Sequence, residues 1–217
     1  MHEVDAISPA EFAAGWMLDL FKDDGPSRLE MFQILEGLGL NVPPYGTPEF
    51  LQSRFSYGLE VLVVVHLNDW SLQGRDKELM PLGQALEEHP DRLCSWFVPK
   101  SPFGPEGRTV SYRLLKIGRK TFTLRFTSRD EWRSNWGPMI ETRVGPDGWF
   151  PQIHRPIWAI DFIRFEADTL FTTDFNIRPG VSQPEVLEAL PDRSVIGALT
   201  EWFEVFGTDV KIYKPVK

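Results

Sequence analysis

The chain has 217 residues, 42% of them hydrophobic and 13% aromatic, enough for one large domain or two small lobes around a sizeable core, which excludes a disordered protein. A net charge of −8 argues against non-specific nucleic-acid binding. No apolar run reaches the roughly 18–20 residues of a membrane helix, and the acidic start MHEVDAISPAEF is unlike a signal peptide, so a cytoplasmic protein with no membrane contact is expected.

Charge is unevenly spread. Acidic side chains dominate residues 1–98, whereas residues 99–217 are slightly basic. Arg108, Arg113, Lys116, Arg119, Lys120, Arg125, Arg129 and Arg133 crowd a short window that holds only Asp130 and Glu131 in opposition. Such a window reads either as an anion site or as a solvated strand surface.

In chain order, Ser8-Pro9-Ala10-Glu11 is a capping box with proline at the first helical position, and predicts a helix to about Phe21. Ser27-Arg28-Leu29-Glu30 repeats the signal and predicts a helix over 28–37, ended by Gly37 and Gly39. After the proline-rich NVPPYG a short helix from Pro48 to about Phe55 is expected. LEVLVVVHL, residues 59–67, reads as a strand buried on both faces, WSLQGRDKEL as a loop, MPLGQALEEH as a short helix and LCSWFVPK as a second buried strand. The lone cysteine in that strand, Cys94, reads as a buried structural thiol, and redox chemistry is not expected.

Residues 99–107 form a Pro/Gly-rich connection that divides the chain into an N-terminal α+β lobe, 1–98, and a C-terminal lobe, 99–217. TVSYRLLKIG and RKTFTLRFTS form a hairpin about Gly118-Arg119, with Phe122, Leu124 and Phe126 on one face and Thr121, Thr123 and Arg125 on the other. SRDEWRSNWGP to about Gly148 shows little periodicity and reads as a long loop carrying Trp132 and Trp136. IWAIDFIRF and LFTTDFNI are two further strands, and a helix over 195–206 closes the chain.

The last hairpin carries the sharpest chemical signal. With Ala167-Asp168 as its turn, Asp161 lies opposite Asp174, and Asn176 shares their face about 7 Å along the strand. Two facing aspartates repel, and a hard divalent cation would compensate; two carboxylates and an amide suit Mg2+ or Mn2+ rather than zinc. A register shifted by one would instead leave the two aspartates separately in water.

The segments from about Leu93 to Gly180 resemble the C-terminal half of an ATP-grasp domain, most similar to the branch that adds glutamate to a ribosomal protein. The resemblance rests on SYRLLKIGRK, TLRFTSRDEWRSNWG, AIDF and TDFNIRPG. It implies a two-lobed α+β fold with antiparallel sheets, packed helices and a nucleotide cleft between the lobes. It further implies Asp161, Asp174 and Asn176 as ligands of Mg2+ (or Mn2+), followed by Pro179 and Gly180, with Arg113 near the nucleotide, and Arg125, Arg133 and Asn135 near the phosphates or an acyl phosphate.

Such a protein would be an Mg-ATP-dependent ligase joining a carboxylate to an amine. Two departures stand beside the resemblance. His66 occupies the strand position where a nucleotide-binding lysine is expected, and the phosphate-covering loop has only Gly74, with Arg75 and Lys77 in place of the lost charge. SWFVPKS reads either as an adenine-contacting hinge, with Phe97, Val98 and Lys100 near the base, or as a plain strand end. The preceding substrate-binding domain is reduced or missing, so a protein partner supplying the substrate site is one expectation. A degenerate relative that binds a nucleotide or a protein without ligation is the alternative.

Overall fold

The computed structural model describes residues 8–22, 25–55, 58–69, 76–100, 109–128, 132–133, 138–145, 151, 153–165 and 169–207. The two leading helices begin where their capping boxes place them. α1 spans Pro9–Lys22, with the Ser8 and Glu11 side chains bonded to each other. α2 spans Arg28–Gly37, where Ser27 Oγ accepts from the Glu30 amide while Glu30 accepts from the Ser27 amide.

A four-stranded antiparallel sheet follows, built from β1 (Tyr45–Gly46), β2 (Leu62–His66), β3 (Lys77–Pro81) and β4 (Leu93–Trp96) in the order β1-β4-β2-β3. Val63 and Val65 on β2 are fully buried against α3 (Pro48–Phe55) and α4 (Leu82–Glu88), with Leu51, Met80, Leu82, Ala85 and Cys94 completing that core. Two expectations are corrected here. Residues 59–61 precede β2 rather than extend it, and KELMP is a strand rather than the end of a loop and the start of a helix. Its charged start hides the strand, because exposed Glu78 shares a face with buried Met80 and no clean apolar alternation results. The consequence is functional, because β3 places Lys77 directly across from His66.

The second sheet has five antiparallel strands in the order β7-β6-β5-β8-β9: β5 (Thr109–Ile117), β6 (Lys120–Ser128), β7 (Met139–Val144), β8 (Ile157–Phe165) and β9 (Thr169–Asn176). β7 lies within the stretch expected to be loop. As an edge strand with Ile140 and Val144 exposed, it shows no one-sided apolar pattern for sequence reasoning to find. α5 (Pro184–Glu188) and α6 (Val195–Phe206) follow. Residues of α1, α2 and α6, among them Ala13, Trp16, Phe32, Leu35, Leu199 and Phe203, share one core with Leu115, Phe122, Leu124 and Trp158 of this sheet. The fold is α+β with two antiparallel sheets, as expected.

The turn between β5 and β6 shows how tightly α6 is seated. Gly118 has φ +58°, and a Cβ there would run into the Ala198 carbonyl. Gly118→Ala is expected to cost about 2–4 kcal/mol, from a left-handed backbone together with displacement of α6. A denaturant midpoint lowered by less than the equivalent of about 1 kcal/mol would show that α6 yields freely there.

Candidate functional site

The face of the first sheet opposite its helices carries His66 and Lys77, paired across the β2–β3 ladder. On the second sheet, Arg113 of β5 lies beside Asp161 of β8, and Asp161 beside Asp174 of β9. These side chains meet. Arg113 holds Asp161 in a two-pronged pair, Nε–Oδ1 at 2.8 Å and Nη2–Oδ2 at 3.0 Å. Arg28 Nη1 donates to Asp174 Oδ1 at 2.6 Å, and Lys77 Nζ lies 3.9 Å from Asp174 Oδ2, so that helix α2 and both sheets converge on one carboxylate.

Asp161 does face Asp174, though not because the whole hairpin has the expected register. Near the turn the pairing is Phe165 with Thr169 and Phe162 with Thr172, one residue off the expected count. A bulge between Phe162 and Asp161 skips Thr173 in the register and restores the offset, giving Asp161–Asp174 and then Ala159–Asn176. The Thr173 hydroxyl lies 3.5 Å from the Asp161 carbonyl oxygen. Bulges beside functional sites redirect side chains in this way. Asn176 is half-buried on the aspartates' side of β9.

Three cationic side chains, Arg28, Lys77 and Arg113, stand against the two carboxylates, and every carboxylate oxygen faces a guanidinium or ammonium nitrogen. Among the described residues no three His, Cys, Asp or Glu side chains come together to hold a metal. Burial raises the Asp161 carboxyl above its ordinary range; Arg113 opposes that rise and the charge on Asp174 adds to it. Burial also pushes Asp174 upward, but Arg28, Lys77 and Arg113 together outweigh it and bring the carboxyl to about 2.

His66 cannot act as a stand-in ammonium. It is 3% exposed, its Nε2 lies 3.3 Å from Ser95 Oγ, and its Nδ1 has no hydrogen-bond partner. Burial first, then Lys77 and Arg28, hold its pKa well below the usual value, so it is neutral at pH 7. The ammonium stands instead at Lys77. Burial lowers Lys77 from 10.5 to about 8, with Asp174 opposing the shift and Arg28 adding to it.

Below pH 8 the folded and unfolded chains both carry the Lys77 proton. Between about 8 and 10.5 the unfolded chain binds more protons, so stability should rise with pH there by at most about 3 kcal/mol. Lys77→Met should remove that rise, which paired urea titrations at pH 7.5 and 10 will test. Above about pH 10.5 the slope reverses, because burial and a hydrogen bond to Glu36 push the Tyr45 phenol up to about 12.

The other expected site residues divide. Arg133 lies close enough to Lys77 to lower its pKa, and its guanidinium stacks 5.1 Å from the Trp132 ring centroid. Trp132 in turn meets Phe97 edge-on at 6.5 Å. Val98 is buried, and Lys100 Nζ donates to Ser128 Oγ at 2.9 Å, tying the connection after β4 to the end of β6. Arg125 is not brought to the cluster. It alternates with Leu124, whose row holds Arg113 and Asp161, so it lies on the opposite sheet face, where Nη1 is 3.7 Å from Glu141. Gly74, Arg75 and Asn135 lie outside the described residues.

Sequence reasoning missed Arg28. A cation at the first position of a helix opposes the helix dipole, and that misfit is the one signal pointing to an acidic partner elsewhere.

No protein-family model matches the sequence, and no curated protein matches it. Solved structures do match: the two sheets, their order and their helices make the ATP-grasp fold. D-alanyl-alanine synthetase A from Vibrio cholerae O1 biovar eltor is similar at a TM-score of 0.50 and 12% identity, over 80% of this chain and 63% of its own. N5-carboxyaminoimidazole synthetase from Staphylococcus aureus, complexed with ADP, is similar at a TM-score of 0.50 and 13% identity, over 81% of this chain and 52% of its own. The chain thus spans less than two thirds of the length of either. No helix among the described residues is long and apolar enough to cross a membrane.

Proposed function

We propose that this chain is an ATP-grasp-type ligase that uses Mg-ATP to join a carboxylate to an amine through an acyl phosphate. The observation that carries the reading is the largely buried cluster of Arg28, Lys77, Arg113, Asp161 and Asp174, set where both sheets meet on this fold. An excess of cation over carboxylate suits a polyphosphate, and one structural neighbour is complexed with ADP.

Asp161, Asp174 and Asn176 are oxygen donors of the kind Mg2+ or Mn2+ takes, and would hold the ion once it arrives with the nucleotide. The ion supplies charge stabilisation at the phosphoryl oxygens. Lys77, Arg113 and Arg133 would bind and orient the phosphates, while Phe97 and Val98 line the base. Asn135 keeps its place near the acyl phosphate as part of the proposal. Arg125, 3.7 Å from Glu141 on the other sheet face, is not assigned a role at the phosphates. The substrate carboxylate and amine would come from a small molecule or peptide, presented with a protein partner that completes the substrate side.

The second reading, a relative that binds nucleotide without ligation, draws on a different observation: Arg28 sits on Asp174 and neutral His66 stands where a cation is expected. Calorimetry and thermal shift with Mg-ATP test the shared part. Ligand at one hundred times its Kd should stabilise the fold by about 2.7 kcal/mol. A folded protein that gives no heat and no shift with Mg-ATP sinks both readings. Binding without ADP release across a panel of amino acids and peptides selects the second.

A further inference from the structure

We propose that Arg28 is a resident counter-cation at the metal position, so that the site refuses a divalent ion by itself and accepts one only together with a polyphosphate. This rests on reading Asp161, Asp174 and Asn176 as the metal side of a nucleotide site.

Arg28 is 6% exposed and stands at the first turn of α2. Its backbone amide donates to the Asp69 carbonyl at 2.9 Å, and its guanidinium bonds Met31 Sδ at 3.3 Å and Asp174 Oδ1 at 2.6 Å. The capping box between Ser27 and Glu30 fixes the helix start that aims it. A metal ion on Asp174 Oδ1, held at about 2.0–2.1 Å, would compete with the Arg28 guanidinium for that oxygen and stand against its positive charge. Lys77 faces the other oxygen of the same carboxylate, Arg113 occupies both oxygens of Asp161, and Arg133 is near Lys77, so a bare dication entering this cluster is opposed by several resident cations.

A polyphosphate changes the balance. Its oxygens are better partners for Arg28 and Lys77 than one shared carboxylate, and moving these two side chains onto phosphate frees Asp174. Arg28 is then a specificity-determining residue, and it couples the filling of the site to helix α2.

Mn2+ binding to the full chain, followed by electron paramagnetic resonance and calorimetry, provides the test. Wild type should leave Mn2+ free without nucleotide and bind it when inorganic pyrophosphate or a nonhydrolysable ATP analogue is added. Arg28→Gln should bind Mn2+ alone at least about tenfold more tightly than wild type, a difference of about 1.4 kcal/mol. Arg28→Gln with Asp174→Asn should lose that gain. Wild type binding Mn2+ equally well with and without polyphosphate overturns the proposal, and so does a folded Arg28→Gln with no gain, or a gain that survives Asp174→Asn. The wild-type comparison stands even if Arg28→Gln does not fold. Mg-ATP binding to wild type reports separately on the nucleotide reading, so the two can fail independently.

Discussion

Arg113→Met is expected to destabilise the protein by about 3–5 kcal/mol, the usual cost of leaving one member of a buried ion pair without its partner. Asp161 is 3% exposed and both its oxygens bond to Arg113, so the truncated site would keep a carboxylate with no donor of its own and a second carboxylate beside it. Arg113→Met combined with Asp161→Leu should recover most of the loss, since apolar replacement of a whole buried pair is often neutral or better. Chemical denaturation of the four proteins of the cycle measures the coupling, expected at about 2 kcal/mol or more. A loss under about 1 kcal/mol for Arg113→Met, or strictly additive effects, would mean that Asp161 is held by other groups.

The same cycle bears on whether the aspartates are surface residues. A surface pair of like charges gains when one charge is removed. Here Asp161→Asn and Asp174→Asn each strand a buried cation, so both should lose stability, Asp174→Asn by releasing Arg28 and weakening the hold on Lys77.

Local features of the fold were legible because their signals are local. The capping boxes at Ser8 and Ser27 and the Gly118 turn sit within a few residues of what they control. β3 and β7 were not legible, the first because it opens on Lys77 and Glu78, the second because an edge strand buries little. The facing of Asp161 and Asp174 was reached by counting from a turn whose register is off by one, and it holds because the bulge at Thr173 restores the count. Arg28 bonds Asp174 across 146 residues, a contact that no spacing or periodicity encodes. The alternation of Leu124 and Arg125 in sequence also holds in the sheet, with Arg125 on the face away from Arg113 and Asp161.

The second large effect concerns which strand supplies the phosphate cation. Lys77→Met should weaken nucleotide binding by about a hundredfold or more, equivalent to roughly 3 kcal/mol for a lost buried charge-assisted contact. His66→Gln should change it by less than about threefold, because His66 is neutral and its Nε2 is turned to Ser95. Both variants change a side chain at paired positions of one ladder, so a general loss of packing would affect them alike. A difference between them in ADP or ATP affinity, measured by calorimetry on variants of matched stability, isolates the charge. Equal losses would return the cation's role to the β2 position or deny it to both strands. If only Lys77 matters, the ammonium has been moved across the β2–β3 ladder rather than lost, and the His66 departure carries no weight against a working nucleotide site.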